Sequence, residues 1–203
     1  MKILNQIISK WVAPKNKIKD SMILGLFGGF IGTIAYDISN VLLWRKGKTE
    51  NLSGHLAGSM MMLAIRTNQR KNFILGEIFH LITGSALGLV QVEILKKYGK
   101  DHYLVKGGFT GLFTWGVLYN FGQRMKFFSR RTHLTKTKYA SLWHHLLYGL
   151  VSSQAIVTLA DPSIFKKNRE KEHVSAVSAR YDNPTDPWFD SPVLNEVTEV
   201  NNH

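Results

Sequence analysis

Glu77 and His80 stand one helical turn apart inside "FILGEIFHLITGSALGLVQVEIL", residues 73–95, a stretch otherwise apolar enough to cross a bilayer. A carboxylate and an imidazole at i, i+3 share one helix face. There they can ligate a metal, exchange a proton, or hold a neighbouring helix by hydrogen bonds. Three other apolar blocks carry polar residues of the same kinds. Asp37 and Asn40 lie near the end of the first block, Tyr119, Asn120 and Gln123 close the third, and His144 and His145 open the fourth. Di-iron carboxylate bundles use two Glu-x-x-His motifs and two further glutamates, and the four apolar blocks hold one such motif. Asp37, Glu77, His80 and His145 nevertheless suffice as a ligand set for one ion. Haem held between His80 and His144 or His145 is a further geometry, because those residues fall at similar depth on parallel helices. The primary reading assigns no cofactor, and with no cysteine in the chain a thiolate site is excluded.

The elements that must position these residues are helices. About 20 apolar residues span a hydrocarbon core, and residues 22–43, 73–95, 105–123 and 139–160 meet or approach that length. Residues 52–65, "LSGHLAGSMMMLAI", are too short and contain His55, so they read as an interfacial segment of the first loop. The fold class is therefore all-α, a polytopic four-transmembrane-helix bundle. Small residues recur at four-residue spacing: Gly25 and Gly29, Gly28 and Gly32, Gly84 and Gly88, Gly107 and Gly111, Gly149 and Ser153. In lipid, where burial of apolar surface drives nothing, such residues let helix backbones approach closely. Because successive spans alternate in direction, the polar residues of all four collect at one membrane face, that of the first and third loops. Asp37 and Asn40 share a stripe with Gly25 and Gly29, and Glu77 and His80 share one with Gly84 and Gly88, which turns them inward to form a polar vestibule.

A net charge of +12 and a pI near 9.9 could indicate nucleic acid. The 26 Lys and Arg, however, flank the apolar blocks, the arrangement of anchors contacting anionic lipid headgroups. Residues 1–20 space Ile3, Leu4, Ile7, Ile8, Trp11 and Val12 as an amphipathic interfacial helix. Residues 162–203 are polar and proline-punctuated and read as a disordered soluble tail, in which Trp188 and Phe189 could dock a protein partner. The two ends and the second loop, counting Lys106 with that loop, carry 14 Lys and Arg against 12 in the first and third loops. That narrow bias favours cytoplasmic termini. The glycine pairs also suit a homo-oligomer, but packing within one chain uses the same pattern.

The runs "GTIAYDISNVLLWRKGKTENLSGHLAGS" and "HLLYGLVSSQAIVTLADPS" resemble an uncharacterised group of small four-helix integral membrane proteins of Gram-positive, endospore-forming bacteria, across residues 23–165. The resemblance implies a multi-pass place in the bacterial plasma membrane and carries over no catalytic residues. No nucleophile elbow, phosphate-binding glycine loop or pair of His-rich boxes is present, so the reading leans away from an enzyme. The expectation is a structural or interaction protein with a polar vestibule. A small proton- or ion-coupled transporter is the first alternative, and a membrane enzyme holding a metal on Glu77 and His80 is the second.

Overall fold

The computed structural model describes residues 17–165, which are all-helical with no strand. The amphipathic segment expected over residues 1–20 and the tail expected over residues 162–203 lie almost wholly outside the described residues. Asp20 opens α1 (Ser21–Arg45) as a helix cap, its carboxylate accepting from the amides of Met22 and Ile23 at 2.7 and 2.9 Å. A short helix α2 (Ser53–Gly58) and a 3₁₀ turn (Ala64–Asn68) follow, then α3 (Arg70–Tyr98). Helix α4 (Tyr103–Thr114) runs on without a break through a π-helical stretch, Trp115–Phe121, into one last turn, Gly122–Arg124. Helix α5 (Thr135–Leu159) is the last long element. Gly47 and Gly99 take the positive φ that ends α1 and α3, at 63° and 77°.

Helix α1 lies between α3 and α5, and α4 packs on α5. The seams are made of small residues. On α1, Gly25 and Gly29 face α3, where a Cβ at Gly29 would stand 2.5 Å from the Gly84 carbonyl, while Gly28 and Gly32 face Ile156, Ser152 and Tyr148 of α5. Gly84 and Gly88 meet Thr33 and the Gly25–Gly29 backbone in return. Gly107 and Gly111 meet Gly149, Ser153 and the His145 carbonyl across the second seam.

The interior is polar for its size. Gln91 donates to the Gly149 carbonyl at 2.9 Å and accepts from Ser152, and Tyr148 donates to the Gly84 carbonyl at 2.7 Å, so α3 and α5 are joined by hydrogen bonds beside α1. Large apolar side chains point outward instead: Phe27, Ile34 and Ile38 on α1, Ile74 and Ile82 on α3, Val105 and Phe109 on α4, Trp143 on α5. Val105 and Phe109 are 71% and 70% exposed, values more at home against lipid than against water. Two helices, α1 and α3, are long and apolar enough to cross a membrane.

The seams predict a contrast between two glycines. Gly29→Leu forces a side chain into the α3 backbone and is expected to cost about 2 kcal/mol or more. Gly116, whose added Cβ meets nothing within 4 Å, is expected to tolerate Ala with no loss or a small gain. Thermal denaturation of the two variants in detergent checks both.

Candidate functional site

The C-terminal half of α1, the start of α3, the π-helical stretch after α4 and the start of α5 meet at one end of the bundle. Tyr36 is their hub. Its buried ring lies against His80, His145 and His144, with centroids 4.9, 5.0 and 5.2 Å away. Nδ1 of His80 stands 3.0 Å from Oδ1 of Asp37, within ion-pairing distance, and neither of these buried atoms has a hydrogen-bond partner. One ligand-type atom from each of Asp37, Glu77 and His80 falls within 4.8 Å of the others. His145 stays outside this group: its Nδ1 is bonded to the Ser141 carbonyl one turn back, at 2.8 Å. His144 turns toward α1, where its Nδ1 meets Ser39 Oγ at 3.0 Å. The Tyr36 ring is thus in contact with His80 and with both α5 histidines, the residues between which a haem is expected.

Glu77 has a second set of partners. Its Oε1 accepts from Ser53 Oγ at 2.9 Å and from the Gly54 amide at 2.8 Å, so it caps α2 from another helix. Close packing explains how α2 gets there, because a Cβ at Gly76 would strike the Gly54 carbonyl. Asn40 fixes the approach of the chain to α2, accepting from the Ser53 amide at 2.8 Å and donating to the Asn51 carbonyl at 3.3 Å. Residues 52–65, read as an interfacial segment, thus form a helix of one and a half turns folded onto α3, followed by a turn.

Loop residues from both sides of the bundle close over this end. Arg130 donates to Asn51 Oδ1 at 2.9 Å and to Asn68 Oδ1 at 2.5 Å, and Ser129 donates to the carbonyls of Ser59 and Met62. Tyr119 Oη pairs with Thr132 Oγ1 at 3.0 Å, and its ring lies 6.0 Å from His145. Gln123 reaches the Arg130 carbonyl, whereas Asn120 is half-buried and lines neither space described below. Burial and the nearby Arg130 guanidinium hold the His55 imidazole below its ordinary range, and its ring lies tilted against Phe73 with centroids 4.7 Å apart.

Beside the polar hub lies a cavity of about 310 Å³. It occupies the gap between α3 and α4, with Phe79, Thr83 and Leu87 on one wall and Val117, Leu118 and Phe121 on the other. Leu56 and Phe128 border it at the loop end, and Tyr36, His80, His145 and Tyr148 supply its polar side. A polar cleft of about 20 Å³ opens nearby among Asn40, Asn51, Thr137, Ser141 and His144. Sequence reasoning missed Tyr36, Ser53 and the cavity; of these only Tyr36 left a signal, being next to Asp37 and one turn before Asn40 on the glycine-bearing stripe. No family model, curated protein or solved structure matches the chain.

Glu50 holds the entry to α5 as Glu77 caps α2. Its Oε2 accepts from the amides of His133 and Leu134 at 3.0 and 3.1 Å, and its own amide donates to Thr137 Oγ1 at 3.2 Å. Partial burial opposes ionisation, but the hydrogen bonds from Leu134, Thr137 and His133 outweigh it and hold the carboxyl below its usual range. A carboxyl lowered on folding adds stability above its unfolded value, near 4.3, and loses it as pH falls through the folded value. Glu50→Gln is therefore expected to cost about 1 kcal/mol at pH 7. The gap between variant and wild type should close below about pH 4, as paired thermal melts would record.

Proposed function

We propose that the chain is a four-span membrane protein that binds an amphiphilic small molecule of the bilayer, its head at the Tyr36 hub and its tail in the cavity between α3 and α4. The single observation that carries this reading is the cavity itself. Its size falls at the lower end of the range for small-molecule sites, and its apolar walls converge on a few polar groups at one side. Such a site recognises a chain by burial and a head by hydrogen bonds to Tyr36, His80 and His145.

The four-span arrangement is supported by what faces outward on all four long helices. Phe109 and Val105 on α4 and Trp143 on α5 are exposed like the apolar residues of α1 and α3. Helix α5 falls short of α1 and α3 in apolar length because its inner face carries His144, Ser152 and Ser153, all buried. The lysine and arginine clusters between the helices suit anionic headgroups, and a bacterial plasma membrane with cytoplasmic termini fits the small charge bias. In this reading the protein is a binding protein of that membrane, and its polar network holds the site in shape.

Filling the cavity tests the proposal. Thr83→Phe and Leu118→Trp place larger side chains in the cavity without touching the glycine seams. In native mass spectrometry of purified protein with a single-chain lipid, the wild type is expected to hold one molecule per chain. The double variant should retain a cooperative melt and lose at least about tenfold in affinity, roughly 1.4 kcal/mol. Equal binding by the two proteins would sink the reading.

A further inference from the structure

We propose that Asp37, Glu77 and His80 bind one divalent first-row transition-metal ion of the Mn²⁺, Fe²⁺ or Zn²⁺ kind, a role distinct from holding the amphiphile in the neighbouring cavity, with which it shares only His80. Three observations converge on it. The ligand atoms come from two helices pinned together by glycine, and all lie within 4.8 Å of one another. The 3.0 Å between His80 Nδ1 and Asp37 Oδ1 is not a hydrogen bond. It does match the separation of adjacent ligands around one ion, about 3 Å when each bond is about 2.1 Å.

Charge gives the second argument. Two carboxylates stand together between helices, and among the described residues no Lys or Arg pairs with either. The one basic group beside these half-buried carboxylates is His80, itself a prospective ligand, and a dication would balance both carboxylates. The surroundings give the third. Ser53 Oγ and the Gly54 amide both fall on Oε1 of Glu77, orienting the carboxylate and leaving Oε2 for an ion. One nitrogen and two oxygens form a donor set between the hard-cation and imidazole-rich extremes, which selects Mn²⁺, Fe²⁺ or Zn²⁺ over Ca²⁺ or Cu⁺. Three protein ligands leave positions open for water, and His80 also borders the cavity.

Purified full-length protein, stripped with chelator and titrated with Co²⁺ as a spectroscopic substitute, is expected to take up one ion per chain with d–d absorption in the visible. Asp37→Asn and His80→Gln keep side-chain volume and should each weaken uptake at least tenfold, and Zn²⁺ should displace Co²⁺ from the wild type. Wild-type protein that binds no Co²⁺ stoichiometrically overturns the proposal whatever the variants do. So does undiminished uptake in both variants. Cavity-filled protein should still bind Co²⁺, so loss of the amphiphile and loss of the ion read out separately.

Discussion

Backbone-to-backbone approach across glycine is the constraint on which the rest of this structure rests. Helix α1 carries two glycine pairs offset by three residues, so it presents one seam to α3 and another to α5. A second set, Gly107, Gly111 and Gly149, locks α4 to α5. In lipid there is little gain from burying one apolar side chain against another, and close packing over small residues takes its place. Where seams exist the helices touch; between α3 and α4 no glycine seam exists, and there the cavity opens. The same seams put Asp37 of α1 against His80 of α3.

Two glutamates then attach the loops to this frame. Glu77 caps α2 and Glu50 holds the two residues that lead into α5, each from a different element. Glu77 thus has one oxygen committed to architecture, and its carboxylate also stands with Asp37 and His80. A residue of this kind links the fold of the loop to the chemistry of the site: moving α2 moves a prospective ligand.

Much of this was legible in the sequence and some of it could not be. The glycine pairs were, because four-residue spacing puts them on one face whatever the partner. The gathering of Asp37, Glu77 and His80 followed from helix direction and stripe. The capping of α2 was not legible, because Ser53 and Glu77 are 24 residues apart and only tertiary packing at Gly76 joins them. Nor was the exclusion of His145, which turns to the Ser141 carbonyl of its own helix. The cavity has no sequence signature, since it arises from a seam that is missing, and no proline or charge marks the π-helical stretch that forms its far wall.

The central claim is that the first and third loops meet at one membrane face, over a vestibule built by four spans. The chain contains no cysteine, so single cysteines report without background. Met61→Cys and Phe127→Cys sit at exposed loop positions of that face, and Lys100→Cys at an exposed position of the second loop. In sealed vesicles, a membrane-impermeant maleimide should label the first two from one side and Lys100→Cys only from the other. Labelling of Met61→Cys and Phe127→Cys from opposite sides would contradict the shared face and the vestibule with it.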